Sequence, residues 1–192
     1  MKNKFFYVIV SLSLLSFVVI EASRWSADLS HSNIGFSIKH MGISETNGNF
    51  SDYTISMTSS KSDFSDASIE FSAKVNSVNT GNETRDKHLC EDDFFDAVKF
   101  PLFTFKSTSF QKIDAKNYRV EGILTMRGIS KPITLMALHN GTIKNRSGNS
   151  VAGFELTGSI KRLDFGVGDQ ESLGYLSDEV MLNADLELVQ ED

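Results

Sequence analysis

The chain has 192 residues, a formal net charge of −6 and a single cysteine, Cys90. That length suits one domain with a sizeable core, and one cysteine excludes an intramolecular disulfide. The acidic balance, with no basic stripe, argues against nucleic acid and against anionic membrane surfaces as partners.

Lys2 and Lys4 form a short basic start, followed by an apolar or small-residue run from Phe5 to Ile20 and then Glu21, Ala22 and Ser23. A basic start, an apolar stretch and a small-residue cleavage point describe a secretory signal peptide. At sixteen residues the run is shorter than the ~20 needed to cross a bilayer core. The expected organisation is therefore a signal peptide over 1–22 and one domain over 23–192, with no integral membrane span in the mature protein. The mature segment keeps seventeen basic and twenty-four acidic residues, a net charge of −7.

Beyond residue 23 the dominant signal is two-residue alternation, the mark of half-buried strands. Ile34, Phe36, Ile38 and His40 share one phase; Ala67, Ile69, Phe71, Ala73 and Val75 share another. The pattern returns at Tyr118–Met126, at Ala152–Ile160 and at Val180–Leu188, with shorter versions at Tyr53–Met57 and around Phe103 and Phe105. Ile133–Leu138 is apolar on both phases, which predicts cover on both faces. Turn residues (Gly48-Asn49, Asn117, Asn140-Gly141, Ser147-Gly148-Asn149, Gly166 to Gly168) separate the runs, and Pro101 and Pro132 sit where strands would begin. Strands so joined make a sandwich or a barrel. One helix interrupts them: Thr80-Gly81-Asn82-Glu83 fits a capping box, with about two turns over Thr84–Cys90.

The chain carries fifteen Phe against one Trp and four Tyr, large rings without polar handles, suited to a dry interior. A small barrel fills that interior with side chains or encloses a ligand. Gly122 and Gly158 fall on inward phases, and removing side chains there makes room for a cavity. A membrane barrel would be apolar outside, whereas here the other phase is rich in Ser, Lys, Glu and Thr.

Several motifs resemble those of YceI-like proteins. They are Trp25-x-x-Asp28-x-x-His31-Ser32, Phe36-Ser37-Ile38-Lys39-His40, Thr80-Gly81-Asn82-Glu83-x-Arg85-Asp86-x-His88-Leu89, Asp93-Phe94-Phe95-Asp96 with Phe100-Pro101, Gly122-x-Leu124-Thr125-x-x-Gly128-x-x-Lys131-Pro132 and Arg162-x-Asp164-Phe165-Gly166. The resemblance spans essentially the whole mature chain. It implies an all-β, lipocalin-like antiparallel β-barrel of about eight strands with one short helix, periplasmic or secreted. It also implies a long amphiphilic chain in the barrel, a polyisoprenoid or fatty-acid derivative, and a homodimer. Cys90 departs from the family pattern, since many relatives carry Lys or another polar residue there.

The expected function is binding and sequestering or carrying such a lipid, with no catalysis, cofactor or metal. The candidate ligand-binding residues are Phe36, Ile38, His40, Phe71, Val75, Arg85, His88, Phe94, Phe95, Phe103, Phe105, Leu124, Met126, Phe154, Leu156 and Leu182. Inward-facing His40 is either a head-group contact or a core histidine satisfied by a backbone carbonyl. Arg85 offers a fork for a phosphate or carboxylate; the acidic residues nearby (Asp86, Asp93, Asp96) favour a local ion pair instead. His31, His40 and His88 match no zinc spacing. Cys90 and His88, two apart on a helix, point to different sides and make a poor nucleophilic pair. The alternatives are an enzyme acting on an isoprenoid or acyl lipid, with His40 or His88 as base, and a filled barrel acting through its surface.

Overall fold

The computed structural model describes residues 21–191, so the leader expected over 1–22 lies almost wholly outside the described residues. The alternating segments form eleven strands: β1 (Ser23–Ala27), β2 (Asn33–His40), β3 (Ser44–Phe50), β4 (Tyr53–Ser59), β5 (Ser68–Lys74), β6 (Val78–Asn79), β7 (Leu102–Lys112), β8 (Asn117–Met126), β9 (Ile129–Lys144), β10 (Ser150–Lys161) and β11 (Leu176–Gln190). Three consecutive couples act as single bent strands. β2 runs against β3, with Gly35 opposite Asn49, and β1 continues the ladder against β4, with Trp25 opposite Met57. Likewise β5 and β6 follow β4 and β3, with Tyr53 opposite Ala73 and Phe50 opposite Val78.

The result is a closed eight-strand antiparallel barrel with one helix, as expected. Closure falls on β11, which pairs with β10 along one edge and with β2 and then β1 along the other. At the handover the Asp28 amide donates to the Glu187 carbonyl (2.8 Å), and His31 Nδ1 lies 2.9 Å from an Asp28 carboxylate oxygen. Closure removes the long sheet edges of an open sheet; among the described residues short unpaired stretches remain at β6, which pairs with β3 alone, and at the start of β9.

Two expectations about β9 are not met. Pro132 is the fourth residue of β9 rather than a strand start. There β9 pairs with β8 alone, the β10 ladder reaching only to Leu135, and a missing amide is tolerated on an unpaired side. Nor is β9 covered on both faces: Ala137 is buried, but Met136 on the other phase is 42% exposed.

One end of the barrel is packed solid. Phe154, Tyr118, Phe110 and Trp25 meet there with His139, whose ring stacks on Phe154 at 4.9 Å between centroids. Phe64 completes this layer from the β4–β5 loop, edge-on to Trp25 at 5.4 Å and to Phe154 at 5.3 Å. Its φ of 55° is unfavourable for a bulky residue, so the loop must be held. Asp66 does this, accepting from Ser59 Oγ (2.6 Å), the Ser60 amide (3.1 Å) and the Lys61 amide (3.2 Å). These donors hold its carboxyl well below the usual carboxylate range.

Helix α1 (Glu83–Leu89) links β6 to the loop before β7. Its cap is Asn82, whose side-chain oxygen accepts from the Thr84 and Arg85 amides, both at 3.1 Å. The capping box expected at Thr80 is not formed. Thr80 instead donates through its amide (2.9 Å) and hydroxyl (2.5 Å) to Asp86, which draws the helix onto β6.

Candidate functional site

The opposite half of the barrel is hollow. A cavity of about 700 Å³ runs in from the end carrying α1, the loop after it, the β8–β9 turn and the segment between β10 and β11. A filled interior, one of the sequence alternatives, therefore describes only the far half.

Phe36, Ile38, Phe71, Phe103, Phe105, Leu124, Met126, Leu156 and Leu182 form its apolar wall, and His40, Arg85, His88, Phe94 and Phe95 also line it. The wall holds itself in place through edge-to-face rings: Phe50 meets Phe103 at 5.4 Å and Phe95 meets Phe103 at 5.0 Å. Two candidates are off the wall. Val75 lies in a 3-10 turn after β5, fully buried, its amide donating to the Pro101 carbonyl at 3.0 Å. Phe154 belongs to the packed end below the cavity.

The inward glycines do not create the space. A Cβ on Gly122 would stand 2.4 Å from the Phe105 ring and 2.6 Å from the Lys106 carbonyl, and one on Gly158 would stand 2.5 Å from Leu135. Each glycine is a slot that a neighbouring wall side chain leans into. The cavity arises instead because the wall residues at this end do not meet across the barrel.

Polar groups gather at the mouth. Arg85 Nε donates to Thr80 Oγ1 (2.7 Å) and Nη2 to the Thr80 carbonyl (2.9 Å). The expected pairing of Arg85 with Asp86, Asp93 or Asp96 is thus replaced: Thr80 stands between Arg85 and Asp86 as acceptor to one and donor to the other. His88 Nε2 lies 3.0 Å from an Asp93 carboxylate oxygen, its ring edge-on to Phe94 at 4.8 Å. His40 faces the cavity with no side-chain hydrogen-bond partner among the described residues, so the carbonyl-satisfied histidine is not what forms.

Two further arginines line this end and escaped the candidate set. Arg127, at φ 48° in the β8–β9 turn, donates to the Phe94 carbonyl and carries the turn under the loop after α1. Arg162 is 3% exposed and opens the 3-10 turn Arg162–Phe165 that follows β10. It donates to the carbonyls of Ser177 (3.0 Å) and Val167 (2.8 Å) and to Ser172 Oγ (2.8 Å). Burial pushes its pKa down, and Asp178 and Asp169 partly oppose this. Among the described residues none of the three arginines has a carboxylate within ion-pair distance. Arg162 continues the phase of Ile160, so inward periodicity was the signal that marked it. Arg127 sits in a turn, where periodicity says nothing.

His31, His40 and His88 are not brought together. His31 pairs with Asp28 near Glu187, while His40 and His88 line the cavity separately. Both Asp28–His31–Glu187 and His88–Glu91–Asp93 bring one imidazole and two carboxylates close, largely on exposed surface. The Cys90 thiol is pushed up by burial and by Asp86, which lowers its thiolate fraction and suits a packing role. The arrangement as a whole offers an apolar slot whose open end carries arginine and histidine donors interleaved with the Asp92, Asp93 and Asp169 carboxylates, a geometry for holding an amphiphile. Among the described residues no helix is long and apolar enough to cross a membrane.

Both the sequence and the shape relate this chain to known proteins. The YceI-like domain family model matches residues 25–188. A UPF0312 protein of Yersinia pestis is 36% identical over 188 residues, 95% of this chain and 96% of its own. The crystal structure of the Campylobacter jejuni YCEI protein superposes with a TM-score of 0.69 at 34% identity, covering 93% of this chain and 100% of that one. A polyisoprenoid binding domain from Saccharophagus degradans, 15% identical, shares the fold at a TM-score of 0.59 over 87% of this chain and 98% of its own. With the match running from the first barrel strand to the last, the chain belongs to the YceI-like family.

Proposed function

We propose that the barrel binds one long-chain amphiphilic lipid, a polyisoprenoid or fatty-acid derivative, and sequesters or carries it without chemical change. The observation that carries this reading is the cavity of about 700 Å³, apolar along its walls, closed at one end and rimmed at the other by Arg85, Arg127 and His88 together with Asp92, Asp93 and Asp169. Each methylene moved from water onto such walls contributes ~0.8 kcal/mol, so the tail supplies affinity. The mouth supplies selection, since a guanidinium fork suits a phosphate or carboxylate. The polyisoprenoid-binding domain of the same fold supports the choice of ligand class. The basic and apolar start of the chain supports action outside the cytoplasm, in the periplasm or secreted.

Gentle purification, denaturation, solvent extraction and mass spectrometry test the reading. A stoichiometric long-chain lipid is expected. No extracted lipid, together with no thermal protection by added polyprenyl or acyl amphiphiles, overturns it. Turnover of a bound lipid would replace carriage with catalysis.

A further inference from the structure

We infer that this barrel selects its ligand by chain length, admitting about twenty heavy atoms of tail, with Phe154 setting the floor. The inference deepens the lipid-binding reading and rests on it. The wall ends at a common level around the barrel: Leu156 and Leu186 line the cavity, whereas the next inward residues on their strands, Phe154 and Leu188, do not. Phe154 stands directly opposite Leu186 in the ladder and is 1% exposed. Its ring is backed by Phe64, Tyr118 and His139, at 5.3, 6.5 and 4.9 Å between centroids.

That backing is rigid. Phe64 is driven into the layer from a left-handed backbone conformation, and Asp66 fixes its loop through Ser59, Ser60 and Lys61. A close-packed aromatic layer does not yield to a flexible chain end as a loose aliphatic core would. Above the floor the volume is about 700 Å³. With a methylene taken as about the size of a water in the liquid, ~30 Å³, it takes roughly twenty such groups. A longer tail must leave its surplus outside the mouth, where it gains no burial.

The test is competition binding of the mature protein to a homologous series of straight-chain fatty acids from about ten to about twenty-six carbons, read by native mass spectrometry. Affinity is expected to rise by up to about fourfold per methylene and then to level near twenty carbons. Phe154→Ala moves the level to longer chains, and Leu156→Phe, which narrows the cavity above the floor, moves it to shorter ones. A continued rise to the longest acid, or an unchanged level in Leu156→Phe, overturns length selection while leaving lipid binding intact. No binding at any length overturns both. Should Phe154→Ala fail to fold, the wild-type series and Leu156→Phe decide the matter.

Discussion

Replacing Arg162 with methionine isolates the part of the mouth that depends on a buried charge. The guanidinium donates to Ser177, Val167 and Ser172, at 3.0, 2.8 and 2.8 Å. Those acceptors span the segment between β10 and β11 that forms one side of the cavity opening. Methionine keeps the apolar stem and strands the three acceptors. A hydrogen bond to a charged group contributes about 1.5–3 kcal/mol, and three of them are offset by several kcal/mol of relieved desolvation. The net loss works out at about 3 kcal/mol. For a domain of this size it lowers the melting temperature by roughly 6–12 °C. Arg162→Lys should recover little, because one ammonium cannot reach three acceptors spread around a planar fork. The buried Trp25 at the packed end, the chain's one tryptophan, reports global unfolding in urea, and hydrogen exchange over residues 163–177 reports the local effect. A stability change under about 0.5 kcal/mol, within the range of ordinary surface substitutions, or full rescue by lysine, would refute the pinning role.

Gly122→Ala should destabilise by about 1–3 kcal/mol, because the Lys106 carbonyl 2.6 Å from the new Cβ belongs to the backbone and cannot swing aside. A urea midpoint equal to wild type removes that argument. His139 has a pKa lowered chiefly by burial. Its contribution to stability is present above the ordinary imidazole value of 6.5 and is lost as pH falls through the lowered folded value. His139→Gln should flatten stability against pH on that acid limb; an unchanged slope contradicts it. His31 is the opposite case, raised by its hydrogen bond to Asp28. Its contribution is present below 6.5 and lost as pH rises through the raised value, down to where Asp28, itself lowered, takes up a proton. The sign is read by comparing His31→Gln with wild type across that window. Cys90, with its thiol pKa raised, should alkylate more slowly at neutral pH in the folded protein than in urea, and equal rates would show that the fold does not protect it.

Strand identity and inward phase were legible in the sequence because alternation is a local property. Ile34 through His40 and Phe103 with Phe105 needed only the pleat to be assigned to one face. The helix was legible too, though its cap was misplaced by two residues: Thr80 and Asn82 both fit the role locally, and the contact with Asp86 decided between them. What alternation cannot convey is depth along the barrel axis. Phe154 and Leu156 share a phase and a strand, yet one lies in the packed floor and the other on the cavity wall. The difference is made by Phe64, a loop residue ninety positions away from Phe154 in sequence. The same holds for Arg85, Arg127 and Arg162, whose partners, the Ser177 carbonyl at the start of β11 apart, come from three connections between elements. Alternation along each strand sets which side chains face inward; where the interior is full, where it is hollow and which charges stand at its mouth emerge only in the closed barrel. Those properties depend on contacts between staves that meet only when the barrel closes.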